Sequence, residues 1–460
     1  MAKMHNCKNK KVLIIGFGLH GGGRSVFVYL QQQGANIRIT DIKTKNALQV
    51  SLRGLKNVKG TFGSYSLKDV RWADVCIKNP GVPKNHPLLV YAKKINKLVT
   101  TDLSLFQETL GKKFDCIVTG TRGKTTTASL IGHFLRSNNK KVLVLGNNRI
   151  PALSQVKKAR HARVVLEASS FQAEDASLLS KVSVFTTFYQ DHLNRYDTLK
   201  KYFDAKVCLF KSQSESDYVV LNYDDKRICR MASKLKSTIF YFSLFELPTK
   251  FNGVYLCENN FIFQNKKRKV VLFSRKNVGL MGNHNTQNVL AAAAAAICLR
   301  VPLRRLGKVI RSFKGVPYRL ERIKSVKRRI FYNDTTATSP EAFVAAYKAL
   351  RDAYPTAILR FIIGGADKRL DFTIVKRVKR DKKVFLYPLA GSATDKLLRS
   401  SNFSVIGKPR KNLYQAFQDC WRDSSPGEVI SLSPGAASFG MFQHEFDRGD
   451  QFTRLVQSVS

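Results

Sequence analysis

The stretch CIVTGTRGKTTTASL, residues 116–130, runs from an apolar segment through a glycine turn into a hydroxyl-rich helix start. Its shape is that of a phosphate cradle, in which backbone amides at a turn and the first N–H groups of a helix face an anion. The eight-residue P-loop pattern G-x-x-x-x-G-K-[ST] requires glycine at position 118, and that residue is Val118. A shortened loop still carries the needed parts. Gly120 and Gly123 let amides turn inward, Lys124 can reach phosphate oxygens, and Thr125 offers a hydroxyl to Mg²⁺. Taken alone, the same residues also describe a glycine-rich turn with a chance lysine.

Around this stretch, strand, turn and helix signals alternate along 460 residues, which predicts α/β architecture with parallel sheets. A chain of this length exceeds one core and is read as three domains, 1–110, 111–314 and 315–460. The first opens with the strand KVLIIG, a glycine turn, the helix RSVFVYLQQQG and the strand NIRIT ending at Asp41. The second begins near Phe114, continues through strands KVLVLG, RVVLEA and KVSVFTTF, and holds an antiparallel insertion between Gly253 and Phe273. Helices at Asn285–Leu299 and Leu303–Phe313 close it. FKGVPYR, residues 313–319, combines glycine and proline as a hinge would. Strands RIFYND, AILRFIIGG, KKVFLYP and GEVISLS make up the third.

The composition is globular, at 44% hydrophobic and 24% charged. The longest apolar run, NVLAAAAAAICL at 288–299, falls short of the ~18 residues of a membrane span and reads as a buried helix. The basic start passes straight into a glycine turn, unlike a secretory leader. Eight scattered cysteines without a C-x-x-C pair fit a reduced, cytoplasmic protein rather than a zinc site. Lys and Arg number 79 against 32 acids, a formal +47. Such a field attracts anionic surfaces, yet the basic residues are spread in small clusters. They are not interleaved with aromatics as nucleic-acid stacking platforms require. A solvated basic surface, with weak attraction to an anionic inner leaflet and no specific nucleic acid, is the expectation.

Further motifs carry chemistry. Gly16-Phe17-Gly18-Leu19-His20-Gly21 follows a strand, opens a helix and precedes Asp41, the context of a dinucleotide fingerprint. NAD, another nucleotide diphosphate, or mere packing could each explain it. VVLEASSFQ ends a strand at Glu167, where a carboxylate can meet a metal. Asp191 and His192 follow the next strand, with Lys206 fourteen residues past His192. Asn285 and Asn288 stand at a helix start, suited to capping or to an adenine. Arg319, Asp334, Thr338, Lys368 and Ser438 lie at strand ends or turns of the third domain. In open α/β sheets ligands bind there.

In order, G-T-x-G-K-T-T, L-E-x-S-S-F-Q, D-H-x-x-R-Y with a later lysine, G-x-H-N-x-x-N, P-x-R-x-E, N-D-x-x-A-T and S-P-x-x-A-S-F resemble the Mur ligases across essentially the whole chain. The branch most similar adds D-glutamate to UDP-N-acetylmuramoyl-L-alanine. The resemblance implies an N-terminal Rossmann-like UDP-binding domain, a central P-loop ATPase domain and a C-terminal Rossmann-like domain that binds glutamate. The UDP part of the substrate would meet Leu19, His20, Asp41, Asn79 and Asn147. ATP would meet Gly120, Thr121, Arg122, Gly123, Lys124, Thr125 and Thr126, with Asn288 on the adenine, Arg319 on the γ-phosphate and Asp334 on the ribose.

Two Mg²⁺ sites are implied, one using Thr125 and Glu167, the other His192 and a carbamylated Lys206. Thr338, Lys368 and Ser438 match glutamate-binding positions. The catalytic set would be Lys124, His192, Lys206 and Arg319, in a cytoplasmic, monomeric ligase that closes about residues 313–318.

Three positions depart from the family pattern. Thr336 stands where lysine is usual, Glu445 and Phe446 lie near a usual phenylalanine, and Arg122 replaces an asparagine. The first two bear on the choice between D- and L-glutamate. Rival readings are a ligase using L-glutamate, a relative such as folylpolyglutamate synthase, an NAD-dependent oxidoreductase built on Gly16, and a nucleic-acid-associated P-loop ATPase. The oxidoreductase leaves Lys124, Glu167 and His192 without a role, and the synthase lacks the N-terminal glycine fingerprint.

Overall fold

The computed structural model describes residues 7–19, 21–138, 141–146, 150–368 and 370–459, and the strands counted below are those among them. His20, Asn147 and Arg369 lie outside the described residues. The chain forms two compact units, residues 1–278 with 287–313, and residues 279–286 with 314–460.

The first unit holds two sheets. Strands β1 (Lys11–Ile15), β2 (Asn36–Asp41), β3 (Gly60–Phe62), β4 (Val75–Lys78) and β5 (Leu98–Thr101) line up as β3-β2-β1-β4-β5, every pair parallel. This is the dinucleotide-binding order through its first five strands, reversing between β1 and β4 beside the glycine turn. KVLII in β1 is a near-continuous apolar run, as strands covered on both faces require. Its pleat sends Leu13 and Ile15 into one core and Val12 and Ile14 into another.

The second sheet contains β6 (Phe114–Thr119), β7 (Val142–Gly146), β8 (Arg163–Glu167), β9 (Ser180–Phe185), β10 (Tyr218–Asn222), β11 (Thr238–Ser243), β12 (Gly253–Cys257), β13 (Asn260–Asn265) and β14 (Arg268–Ser274). Its order is β14-β13-β12-β11-β10-β9-β6-β8-β7. The expected insertion is present as β12–β14, antiparallel among themselves, with β12 joining β11 in parallel. Strand β6 is central, all six residues buried, and therefore delivers the phosphate loop to the middle of the sheet edge. Helix Asn283–Cys298 buries Val289 to Ala296 completely. Its alanine run permits close packing inside protein. No helix among the described residues is long and apolar enough to cross a membrane.

The second unit is built on β15 (Glu321–Val326), β16 (Arg329–Asn333), β17 (Leu359–Ile363), β18 (Val384–Pro388), β19 (Ser404–Val405) and β20 (Val429–Leu432), ordered β15-β16-β20-β17-β18-β19. All pairs are parallel except the β15 edge. Alternation again splits the core, with Phe361 and Ile363 on one face and Ile362 on the other. The α/β class with parallel sheets is what the strand and helix rhythm predicts. No strand is read from the sequence at β3, β4, β5, β10, β11, β15 or β19; of these the edges β3, β15 and β19 are short or half-exposed strands of mixed composition that carry no clear period.

Candidate active site

After β6 the chain turns through Gly120 to Gly123 into helix Lys124–Arg136. Gly123 has φ +82° and Gly120 φ +150°, conformations an L side chain resists. Space forbids one as well: a Cβ on Gly120 would lie 1.9 Å from Thr186 Oγ1, and one on Gly123 would lie 2.2 Å from Asn288 Oδ1. The turn is clamped by the end of β9. Thr121 N donates to Thr187 O at 2.7 Å, Arg122 N donates to Thr187 Oγ1 at 3.0 Å, and Thr186 Oγ1 donates to Arg122 O at 2.6 Å. Lys124 Nζ curls back to Thr121 O at 3.2 Å. The result is a preformed cradle at a helix N-terminus, opened by two glycines and supplied with one lysine.

Lys206, on helix Leu199–Val207, is only 1% exposed and donates through Nζ to Gly120 O at 2.8 Å. Burial, then the neighbouring charges of Lys124 and Arg122, pull its ammonium well below the usual lysine range against an opposing pull from Asp191. Lys206 also sits over the Tyr202 ring, 4.7 Å from its centroid. The His192 ring is 5.8 Å from the same ring, edge-on. Asp191 bonds Arg122 Nη1 at 3.1 Å. Although burial pushes its carboxyl up, His192 and Arg122 outweigh that and hold it below the usual range. His192 itself has φ +54°, a left-handed conformation that costs on the order of 1 kcal/mol and concentrates at functional sites. Glu167, 1% exposed, ends β8 in register with Val118 of β6. It therefore reaches the sheet edge beside the cradle.

Asn288, 5% exposed, accepts from Thr127 Oγ1 at 3.4 Å and covers Gly123, so the structure places it on the phosphate loop. Asn285, in the first turn of the same helix, donates through Nδ2 to Met281 O at 2.9 Å, a side-chain bond back to the preceding turn rather than an N-cap.

At the N-terminal sheet, Gly16, Gly18 and Gly21 all take positive φ, and a Cβ on Gly23 would strike Phe17 O at 2.2 Å. Asp41 Oδ2 accepts from Phe17 N at 2.7 Å and Gly18 N at 3.1 Å. Its Oδ1 accepts from Lys43 N at 2.8 Å. The acid thus shapes the turn with its own carboxylate. Leu19 projects half-exposed beside it, and Asn79 accepts from Gly81 N at 2.9 Å. A cavity of about 10 Å³ under the turn is lined by Gly22, Gly23, Lys78, Asn79 and Asp102 among others. Burial raises the Asp102 carboxyl to about 6.

In the second unit, Asp334 Oδ1 accepts from Leu320 N at 2.9 Å. Burial raises its carboxyl to about 7, against lowering by that N–H and by Arg319. Arg319 is bracketed by Tyr318 at φ +65° and Leu320 at φ +47°, two strained residues that fix its position. Three strand-end loops meet nearby: Gly435 N donates to Ala337 O at 2.8 Å, and Ala366 and Ala437 exchange backbone bonds of 2.9 and 3.1 Å. These loops carry Thr338, Lys368 and Ser438. Ser438 is buried, Lys368 is exposed, and the Lys368 ammonium lies 5.8 Å from the Phe439 ring centroid.

Sequence alone does not single out Thr186, Thr187, Tyr202 or Lys78. Lys78 is 1% exposed and pairs with Asp175 and with Glu174 at 3.4 Å. Arg195, inside the quoted D-H-x-x-R-Y, bonds Glu174 at 2.5 Å and the carbonyls of Gly81 and Val82 at 2.8 and 3.1 Å. Their only sequence signal was proximity to the motifs they support.

The donor set suits a hard cation. The Glu167 carboxylate and the Thr125 hydroxyl are oxygen ligands of the kind Mg²⁺ takes. Among the described residues no three His, Cys, Asp or Glu side chains gather as a metal cluster. Lys206 as a plain amine does not complete one, whereas as a carbamate it supplies two oxygens.

Residues 118–296 match the Mur ligase middle domain, and residues 10–101 match the Mur ligase MurD-like N-terminal domain. The chain is 33% identical to UDP-N-acetylmuramoylalanine–D-glutamate ligase of Roseiflexus sp. (strain RS-1), covering 98% of this chain and 99% of that one. Among solved structures it is similar in fold to UDP-N-acetylmuramate-alanine ligase from Thermotoga maritima (18% identity, TM-score 0.59, 98% and 100% covered). It is likewise similar to the MurF ligase of the same organism in complex with ADP (16% identity, TM-score 0.58, 98% and 95% covered). With cradle, strand-end carboxylate and buried lysine in place, and near-full-length identity above 30%, the chain belongs to the Mur ligase family.

Proposed function

We propose that the protein is an ADP-forming ligase that joins D-glutamate to UDP-N-acetylmuramoyl-L-alanine in peptidoglycan precursor synthesis. The curated relatives named for that reaction at 31–33% identity support the substrate pair. The observation that carries the chemistry is Lys206, a desolvated lysine hydrogen-bonded to the first glycine of a phosphate cradle. An oxidoreductase or a bare ATPase has no use for it.

The alanyl carboxylate attacks the γ-phosphorus of ATP, ADP departs, and an acyl phosphate remains. The glutamate amine then attacks the acyl carbon, forming the amide as inorganic phosphate leaves and the amine gives up a proton. Lys124 and Arg319 offset the negative charge on the transferring phosphoryl group, which is where electrostatic stabilisation contributes most. Glu167 and Thr125 would hold one Mg²⁺; His192 and Lys206 would hold a second. Bound there, Mg²⁺ supplies Lewis-acid neutralisation of phosphate oxygens. In its neutral form the Lys206 amine would be nucleophilic toward CO₂: its nitrogen bonds the carbon, a C=O electron pair moves onto oxygen, one proton leaves, and the neutral amine becomes an anionic carbamate.

Leu19 and Asn79, with His20 and Asn147, would meet the UDP moiety at the glycine turn that Asp41 shapes. Asp334 would meet the ribose and Asn288 the adenine side of the cradle. Thr338, Lys368 and Ser438 would receive glutamate. Residues 1–110, 111–314 and 315–460 would be the corresponding functional modules. Eight free cysteines support a reduced, cytoplasmic setting. The +47 charge supports weak attraction to an anionic leaflet for what we take to be a monomer. The test is ADP release with UDP-N-acetylmuramoyl-L-alanine and either D- or L-glutamate. Dependence on D-glutamate supports the assignment, and turnover with L-glutamate alone replaces it with the sister ligase.

A further inference from the structure

Arg448 is the bulkiest fully buried side chain of the described residues, at 0% exposure. It lies on helix Glu445–Ser458. Its guanidinium donates only to neutral oxygens: Nε to Thr335 Oγ1 at 3.0 Å, Nη2 to Thr335 O at 2.9 Å, and Nη1 and Nη2 to Ala436 O at 3.3 Å each. Among the described residues no carboxylate lies within ion-pair distance of it; Glu445 acts on it only from further off. Burial pulls it down to about 9, so it remains a cation at neutral pH.

The contrast with other buried cations is informative. Arg360, in the same unit, is paired by Glu428 through bonds of 2.5 and 3.3 Å. Lys78 is paired by Glu174 and Asp175, and Lys206 is pulled toward its neutral form. A buried charge without a partner is costly, and Arg448 keeps that charge at one particular place. Thr335 precedes the loop that bears Thr338, and Ala436 precedes Ser438. The same segments are stitched to each other and to the Lys368 loop by Gly435 N to Ala337 O and by the Ala366–Ala437 pair. Position 336, next to Thr335, holds threonine where the family resemblance calls for lysine.

We propose that Arg448 is a positioning residue for the amino-acid substrate, its unpaired buried charge acting as counter-charge to a carboxylate of glutamate while its hydrogen bonds hold the Thr338 and Ser438 loops together. This rests on the reading that those loops receive glutamate. Charge in a low-dielectric interior acts with little screening, so the guanidinium need not touch the substrate to favour an anion there.

The experiment compares the parent enzyme, Arg448→Lys and Arg448→Met. It measures KM for D-glutamate and competitive inhibition by D-glutamine and D-isoglutamine, which replace one carboxylate each by an amide. Arg448→Met is expected to lose at least tenfold in preference for D-glutamate over one of the amides, with ATP KM changed less than threefold. Arg448→Lys should keep the preference within threefold despite a lower melting temperature. Equal weakening of acid and amides in Arg448→Met would show a purely structural residue and overturn the proposal. Thr336→Lys, which leaves Arg448 in place, decides the matter even if Arg448→Met does not fold. A gain below threefold in kcat/KM for D-glutamate is expected, and a gain of tenfold or more shows that the pocket lacked a cation and overturns it. A parent enzyme that does not turn over D-glutamate refutes the glutamate reading itself and this inference with it.

Discussion

Lys206 Nζ lies 2.8 Å from the carbonyl oxygen of Gly120, so a lysine fourteen residues past His192 closes on the first glycine of a loop 86 positions upstream. The contact keeps the amine inside a desolvated pocket beside Lys124 and Arg122, where a cation is disfavoured and a carbamate would be welcomed by the same neighbours.

Lys206→Ala should therefore be nearly inactive while keeping its fold, and short-chain carboxylic acids should restore part of the activity by returning the missing oxygens. Steady-state ADP release with and without added acetate checks this. Full activity of the variant would make Lys206 a packing residue.

Lys124→Ala removes the cradle's cation. Losing one such contact to a transferring phosphoryl group costs about 3 kcal/mol, on the order of a hundredfold to a thousandfold in kcat. Circular dichroism should be unchanged. Retention of more than about a tenth of parental turnover would place the phosphates elsewhere.

Gly123→Ala tests the cradle's shape rather than its charge. The left-handed φ adds roughly 1–2 kcal/mol of strain, and the new methyl must displace Asn288 Oδ1, 2.2 Å from where it would sit. ATP affinity, read by nucleotide-dependent thermal shift, is expected to fall at least tenfold. A parental shift would mean that the loop tolerates opening.

Asp334 gives a pH signature. Its carboxyl stands at about 7 in the folded protein, chiefly through burial, against about 3.9 when unfolded. Between these values the folded state holds a proton that the unfolded state has released, so stability falls as pH rises from about 4 to 7. Three units correspond to at most about 4 kcal/mol. Asp334→Asn, which keeps the acceptor for Leu320 N, should match the parent in urea midpoint near pH 4.5 and exceed it at pH 8. A pH-independent difference between the two would deny the raised pKa. ATP KM should rise in the variant if the carboxylate meets the ribose.

Lys368→Ala should raise glutamate KM on the order of tenfold or more, the worth of one charge-assisted hydrogen bond, and leave ATP affinity intact. An unchanged glutamate KM removes Lys368 from the pocket.

The sequence by itself determined the local pieces, because each rests on short-range physics. Short β-branched apolar runs that end at a glycine turn, such as KVLII and CIV, read as buried strands. The glycines at 16, 18, 120 and 123 mark turns that no other residue enters cheaply, and their position before helix starts is the one in which anion sites are built. Tertiary structure alone decided which side chains meet. That β6 lies between β8 and β9 brings Glu167 level with Val118 and sets Thr186 and Thr187 against the loop. Neither pairing has a local signal, since parallel neighbours are separated by whole crossover connections. Asp41 shows the same limit. The spacing marks it only as the acid that follows a glycine fingerprint, and the folded turn alone shows its oxygens accepting from the Phe17 and Gly18 amides. Arg448 was invisible in a chain of 79 basic residues, because burial without an acid partner is a property of the packed environment, and composition carries no trace of it.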